Sequence, residues 1–331
     1  MKQPARIVVI GAGAFGTALA TVIARQHQPV TLLGRNHEQM QSIQSKRTNE
    51  SALPGIMLPE ELQATADPRC LEAADIILFV MPSQAIRAAA RTYRGFIVPD
   101  ARLILCAKGM EQSSGLFLDR VIAAEMPDNP VAVLSGPGFA ADIAKGLPTA
   151  MTIASTDRAI AESLARSLSG STFRLYASDD VVGVEIAGAL KNVIAIACGI
   201  VEGRGLGESA KAALIARGLA ELMRFATAHG GRPETVAGLS GLGDLVLTAT
   251  SRQSRNLNFG LALGKGSTPA QLMAPGAPLS EGAYTASVAA QISREKRIDM
   301  PITNAVASIL LGNLGVDSAI GALMTRPLKS E

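Results

Sequence analysis

Lys191, followed by Asn192, stands in the middle of a long apolar stretch, 179–203, DDVVGVEIAGALKNVIAIACGIVEG. A lysine set among apolar turns loses hydration unless a partner or a cleft receives its ammonium, so it is either paired or working. The alternative is a snorkelling side chain whose stem packs while its head reaches water, and taken alone the stretch leans slightly that way. Two flanking features shift the balance, a nucleotide-binding pattern before it and an anion-binding pattern after it. The first is Gly11-Ala12-Gly13-Ala14-Phe15-Gly16, which directly follows the β-branched run 6–10. In such a pattern Gly11 turns tightly, Gly13 lets a pyrophosphate approach the backbone, and Gly16 lets helix and strand pack closely. A helix over 17–25 then offers its N-terminal amides to phosphate. At the end of the next strand, where an NAD-specific site places an acid about 20 residues after the glycines, stand Gly34-Arg35-Asn36, with Glu38 the nearest acid. Arg35 can receive a 2′-phosphate and stack on adenine, so NADP(H) is preferred and NAD(H) also possible; an ordinary surface arginine is the alternative. The second feature is Ser254-Arg255-Asn256 at a helix start, where free amides, a guanidinium fork and two short polar side chains suit a dianionic phosphate. Plain helix capping explains Ser254 and Asn256 equally well. Between these lies the glycine-rich loop 239–245, LSGLGDL, with the carboxylate of Asp244 and Thr248 one helical turn later.

The elements that must position these groups follow an α/β rhythm. Strands are expected at 6–10, 30–33, 75–80, 102–106, 131–134, 149–154 and 172–177, several of them short apolar runs of the kind buried in parallel sheets. Three end in small or turn-forming residues: 81–83, Ala107-Lys108-Gly109, and 135–138 with Gly136 and Gly138. Ligands of open parallel sheets lie across the carboxyl ends of the strands, so these loops should border one crevice and Lys108 would bring a positive charge to it. An exposed loop lysine is the alternative. Near residue 178 the pattern changes to helices: 179–203, where Val181, Val184, Ala187, Leu190, Ile194, Ala197 and Ile200 recur at three- and four-residue steps, then 208–229 with a Gly230-Gly231 stop, and later ones starting near Pro233, Ser254, Gly282 and Pro301. The fold class is therefore α/β: an N-terminal Rossmann-type, doubly wound, mostly parallel sheet over 1–178, with an all-α C-terminal domain over 179–331.

Composition excludes other classes. With 31 basic and 28 acidic side chains the net charge is +3 over 331 residues, with no dense Lys/Arg run, so nucleic acid is not an expected partner. Cys70, Cys106 and Cys198 are far apart and beside apolar residues, which suits free core thiols in a reducing cytoplasm rather than bridges or a metal site. Lys2, Arg6 and the cleavage-site-like Ala18-Leu19-Ala20 imitate a secretory leader, but glycines at 11, 13 and 16 interrupt the apolar run. A membrane helix needs roughly 20 uninterrupted apolar residues, and the nearest candidate is broken by Lys191 and Asn192. A cytoplasmic protein without a membrane span is expected. Monomer and homodimer are both open, since apolar surface in the helical half could support a dimer.

In order along nearly the whole chain, GAGAFGTALA at 11–20, GR at 34–35, KG at 108–109, GPGFA at 136–140, EIAGALKNVIAIACGI at 185–200, GLGDLVLT at 241–248, SRN at 254–256 and SEG at 280–282 resemble the bacterial NAD(P)-dependent sn-glycerol-3-phosphate dehydrogenases. The glycine fingerprint is common to many enzymes, whereas the ALKN, GLGDL and SRN series together is specific. The resemblance implies that Lys191 donates and accepts the proton at C2 of the substrate, with Asn192 beside it, and that Asp244 and Thr248 orient Lys191. Lys108 would touch nicotinamide and substrate, and Ser254, Arg255 and Asn256 would hold the substrate phosphate. Gly136, Gly138 and Ala140 would line cofactor and substrate, with Gly11, Gly13, Ala14, Phe15, Gly16, Arg35, Arg255, Leu279 and Glu281 at the nucleotide. Ala14 and Gly138 stand where many members have serine, and Leu33 replaces a frequent tryptophan; none of these changes removes a group that moves a proton. The implied reaction is reversible reduction of dihydroxyacetone phosphate to sn-glycerol 3-phosphate by NAD(P)H without a metal, feeding glycerophospholipid synthesis. Two other readings stay open on the residues alone. A two-domain dehydrogenase of the hydroxyisobutyrate or ketopantoate type would not call for the phosphate site at 254–256, and a non-catalytic NADPH-binding regulator would need neither Lys191 nor Asp244. A nucleotide-sugar dehydrogenase would need a reactive cysteine, which the apolar setting of Cys198 disfavours.

Overall fold

The computed structural model describes residues 5–327, and Lys2 of the leader-like pattern lies outside them. The chain divides into two compact units, Met1–Glu111 with Leu116–Val184, and Gln112–Gly115 with Glu185–Glu331.

The first unit is built on an eight-stranded sheet. Its strands, in chain order, are β1 (Ile7–Ile10), β2 (Val30–Leu33), β5 (Leu62–Thr65), β6 (Ile76–Phe79), β7 (Arg102–Leu105), β8 (Val131–Ser135), β9 (Thr149–Ala154) and β10 (Phe173–Ser178), while β3 (Thr48–Asn49) and β4 (Leu53–Met57) form a separate hairpin. The spatial order is β10-β9-β8-β7-β6-β1-β2-β5. All ladders of this sheet are parallel except β8 with β9, which runs antiparallel, Val133 opposite Ala154. The strand order reverses at β1, which lies between β2 and β6, and that reversal opens the crevice in which doubly wound sheets bind ligands. Strand residues alternate between two apolar layers. Ile7, Val9, Leu32, Leu78 and Ile104 face one, covered by helices Ala14–Ala24, His37–Lys46 and Arg158–Leu168. Val8, Ile10, Ile77, Phe79 and Leu103 face the other, covered by Ile86–Tyr93 and Leu118–Glu125. Burial on both faces explains why these strands read as continuous apolar runs.

The second unit is helical. Its central helix, Val181–Gly203, begins at the unit boundary, and every residue from 183 to 200 is buried. By length and composition it could cross a membrane, with mean hydropathy 1.8, yet 94% of that window is buried inside the protein, as for a core helix. Helices Glu208–Ala228, Pro233–Ala237, Asp244–Thr250, Arg255–Gly264, Glu281–Glu295, Pro301–Leu310 and Val316–Met324 follow. Glu221 is fully buried and caps another helix from a distance, accepting from Ile302 N at 2.5 Å and from Thr303 N and Oγ1 at 3.0 and 2.8 Å. Burial pushes its carboxyl above the usual range against the pull of those donors.

Three expectations are corrected. The stretch 239–245 is not a loop but a wide helical turn, Leu239–Gly243, running straight into helix Asp244–Thr250. The first helix starts at Ala14 rather than Thr17. Of the three free cysteines, Cys106 and Cys198 are core residues but Cys70 is only half-buried. Burial pushes the Cys198 thiol up to about 12 and that of Cys70 up to about 11, so neither is a ready thiolate.

Candidate active site

Within the first unit the residues expected at a nucleotide gather at strand ends. Gly11 has φ of +118°, a conformation glycine adopts freely, and a Cβ there would lie 2.1 Å from the Val80 carbonyl oxygen. A Cβ on Gly16 would lie 1.9 Å from the Gly11 oxygen, so helix and turn close tightly; a Cβ on Gly13 would meet nothing within 4 Å. The backbone at Gly13 thus faces open space, and helix Ala14–Ala24, eleven residues long, has no side-chain cap to compete for its first amides. These features fit a dinucleotide pyrophosphate. Arg35 is exposed just past the end of β2, and Asn36 caps the following helix through Gln39 N at 2.9 Å. Past β7, the half-buried Lys108 donates from Nζ to the Gly136 carbonyl at 2.9 Å, which brings together the loops after β7 and β8. Gly136 has φ of +147°, and a Cβ there would lie 2.8 Å from the Met151 Cα. At Gly138 a Cβ would come within 3.0 Å of the Ile143 side chain. The absence of the serine is thus matched by a tight neighbour. Ala140 opens the short helix Ala140–Ala144. Ser135, 2% exposed at the end of β8, carries a hydroxyl with no hydrogen-bond partner among the described residues, a further polar group at the crevice end of the sheet.

In the second unit a buried ion pair is assembled from two helices. Lys191 Nζ donates to Asp244 Oδ1 at 2.6 Å and to Thr248 Oγ1 at 2.7 Å, and the Thr248 hydroxyl lies 3.3 Å from the same carboxylate oxygen. The two charged side chains are 7% and 3% exposed. The lysine is therefore not snorkelling: its head is buried in an ion pair. The wide turn before Asp244 sets this up. Gly241 passes so close to Val236 that a Cβ would lie 1.8 Å from its carbonyl oxygen, and the helix restarts at Asp244, placing Thr248 on the same face one turn on.

Beside it, Asn256 ties three helices together. Its Nδ2 donates to Asn192 Oδ1 at 2.9 Å, and its Oδ1 accepts from Ser280 Oγ at 2.7 Å and from Gly282 N at 3.0 Å. This knot leaves one Nδ2 hydrogen of Asn256 uncommitted among these bonds. Ser254 is a true N-cap, accepting from Leu257 N at 3.1 Å. Arg255 is exposed at the first position of its ten-residue helix and forms no ion pair among the described residues. Leu279 and Glu281 flank the buried Ser280. Ser280 was legible only as the first residue of the 280–282 motif. Among the described residues no cluster of three His, Cys, Asp or Glu side chains could hold a metal ion.

A dinucleotide crevice at the β1 reversal and a helical unit built around a buried lysine–carboxylate pair define a nicotinamide-dependent oxidoreductase of the two-domain dehydrogenase class. The family model described as NAD-dependent glycerol-3-phosphate dehydrogenase N-terminus matches residues 6–161, and its C-terminal counterpart matches residues 180–321. The chain belongs to that family. It is 58% identical over 327 residues to a glycerol-3-phosphate dehydrogenase [NAD(P)+] of Rhizobium etli (strain CIAT 652), covering 98% of this chain and 99% of the relative. An Agrobacterium fabrum protein of the same name is 57% identical, with 99% and 100% covered. Among solved structures, glycerol-3-phosphate dehydrogenase from Coxiella burnetii superposes with a TM-score of 0.91 at 39% identity, covering 98% of this chain and 99% of that one.

Proposed function

We propose that Lys191 is the proton donor and acceptor in the reversible reduction of dihydroxyacetone phosphate to sn-glycerol 3-phosphate by NAD(P)H, the reaction for which the relatives are named. The observation that carries this assignment is the buried contact of Lys191 Nζ with Asp244 and Thr248. A bound nicotinamide supplies the hydride that reaches C2. As charge grows on the carbonyl oxygen, the Lys191 ammonium stabilises it and gives up a proton; in the reverse direction the amine takes the proton back. Asp244 and Thr248 fix the direction of the Nζ. Lys108 works at the nicotinamide and substrate. Arg255, with the first amides of its helix and the Ser254 hydroxyl, holds the substrate phosphate, and Asn256 chiefly keeps Asn192 and that helix in register. An unphosphorylated triose would leave these donors unpaired, which gives the site its selectivity.

The domain over 1–178 binds the dinucleotide through Gly11, Gly13, Ala14, Phe15, Gly16 and Ala140. Leu279, Glu281 and Arg255 of the domain over 179–331 complete that site, and Gly136 and Gly138 line substrate and cofactor. Arg35, standing where an acid would mark NAD specificity, makes NADP(H) the preferred cofactor. No metal enters this reading. The enzyme acts in the cytoplasm at the head of glycerophospholipid synthesis. Exposed apolar side chains of the helical half such as Leu311 at 63% would support a homodimer.

The test is NADPH oxidation with dihydroxyacetone phosphate beside dihydroxyacetone and ketopantoate, for the wild type and Lys191→Ala. Only the phosphorylated triose should be reduced, and the variant should lose about 10²–10⁴-fold in kcat while still quenching NADPH fluorescence. Reduction of ketopantoate, or a variant with wild-type kcat, would sink the assignment.

A further inference from the structure

Lys108 is a long side chain on a loop, and its ammonium can be placed reproducibly only if the backbone that carries it is fixed. That backbone is gripped from the neighbouring helix. The Arg87 guanidinium donates to both oxygens of Glu111, Nε to Oε1 at 2.8 Å and Nη2 to Oε2 at 2.7 Å, three residues past Lys108. Its third nitrogen, Nη1, donates to Glu125 Oε1 at 2.8 Å, at the end of helix Leu118–Glu125. One guanidinium therefore holds the loop after β7 and the helix that follows it. The residue three before Arg87 adds a second grip: Gln84 Nε2 donates to the Met110 carbonyl at 2.8 Å. Within the loop, Glu111 N donates to Leu116 O at 3.0 Å and Met110 bridges to Phe117, so the segment closes on itself as a short hairpin. The bonded residues named here belong to the first unit, while the tip of the hairpin, Gln112–Gly115, belongs to the second.

This arrangement is more than surface decoration. Glu111 is 6% exposed, and a buried carboxylate loses enough hydration that apolar side chains of similar size would stabilise the same volume as well or better. What the two-point fork adds is geometry: it fixes position and angle together. Lys108 Nζ, at 2.9 Å from the Gly136 oxygen, lies at the far end of the same clamped segment, where a displacement of the loop is passed directly to the ammonium.

We propose that Arg87, acting through Glu111, is a positioning residue for Lys108. The inference rests on the reading that Lys108 works at the nicotinamide and substrate. Arg87 itself touches neither. Its loss should leave the glycine turn at residues 11–16 and Arg35 intact, and with them most of the nucleotide affinity.

A double-mutant cycle tests it on the full-length enzyme: Arg87→Met, Lys108→Ala and the two combined, with kcat and KM for dihydroxyacetone phosphate, NADPH affinity by fluorescence, and the thermal midpoint. Glu111→Gln, which keeps the shape of the carboxyl, runs the same cycle if Arg87→Met does not fold. Arg87→Met should lower kcat/KM for the triose by about tenfold or more, with NADPH affinity within twofold of wild type, and add no further loss in the Lys108→Ala background. Losses that multiply in the double variant would overturn the proposal and leave Lys108 where it is. A Lys108→Ala enzyme with wild-type kcat/KM would remove the Lys108 reading itself, and this inference with it. Arg87→Lys keeps the charge without the fork, so it should recover the thermal midpoint more fully than the rate; recovery of the rate by charge alone would show that geometry is not the issue.

Discussion

Thr248 adds one oxygen to the proposed reactive group, and that oxygen both accepts from Lys191 at 2.7 Å and lies 3.3 Å from Asp244. Thr248→Val keeps the shape and removes this acceptor from the ammonium. A hydrogen bond to a charged group is worth roughly 1.5–3 kcal/mol, so kcat should fall by about tenfold to a hundredfold while KM for the triose changes little. A larger change in KM than in kcat would mean that Thr248 binds substrate rather than aims the lysine. At this scale the sequence was informative but incomplete. Periodicity put Lys191 inside an apolar helix and could not say whether its head was paired, because its partners lie 53 and 57 positions away. Only the family resemblance linked them. Asn256 shows the opposite case: the motif marked the residue, but its amide is largely engaged by Asn192, Ser280 and Gly282, contacts between separate helices that no local pattern encodes.

At the scale of elements, the helix bearing Lys191 and the helix bearing Arg255 touch backbone to backbone. A Cβ on Gly199 would lie 2.1 Å from the Leu257 oxygen, and one on Gly260 would lie 2.0 Å from the Ile196 oxygen. Four residues on, Gly203 and Gly264 repeat the contact at 2.5 and 2.6 Å from Leu261 and Ile200 oxygens. Two four-residue glycine spacings thus interlock, and only glycine permits so close an approach. Gly199→Ala must push the helices apart, at a cost of about 1–3 kcal/mol, and stretch the 2.9 Å bond between Asn256 and Asn192. KM for dihydroxyacetone phosphate should therefore rise with NADPH affinity unchanged, measured by initial rates and fluorescence titration. An unchanged KM would mean that the spacing of these helices does not set the proposed phosphate site. The first helix was legible from its apolar period and the second from its start signal at Ser254, but their crossing was not, since no local pattern encodes which glycines of separate helices meet. The same limit explains the sheet. Seven strands of the sheet were visible, five of them rich in Val, Ile and Leu, whereas Thr48–Asn49, Leu53–Met57 and Leu62–Thr65 lack a β-branched run and escaped notice. The antiparallel turn of β9 against β8 is a matter of pairing, which strand composition does not carry.

At the scale of the whole molecule, the two compact units divide the proposed labour. The glycine turn, Arg35 and Lys108 lie in the first, and Lys191, Asp244 and Arg255 in the second. The division accompanies a change in the sequence pattern, from short apolar runs for strands to three- and four-residue steps for helices. It has a thermodynamic consequence. A ligand that binds only the native state stabilises it by RT ln(1 + [L]/Kd), about 2.7 kcal/mol at a hundred times Kd. If NADPH is held mainly by the first unit, Lys191→Ala should show the same NADPH-induced rise in thermal midpoint as the wild type, whatever its own starting midpoint. Arg35→Ala should lose most of the rise with NADPH and keep the rise with NADH, because only the former has a 2′-phosphate for the guanidinium to meet. Thermal melts of the three proteins with each nucleotide, all at one fixed nucleotide concentration, decide the point. A Lys191→Ala melt that no longer responds to NADPH would show that cofactor binding depends on the helical unit as well. Equal losses for both nucleotides in Arg35→Ala would assign that residue to the adenine ring rather than to the phosphate.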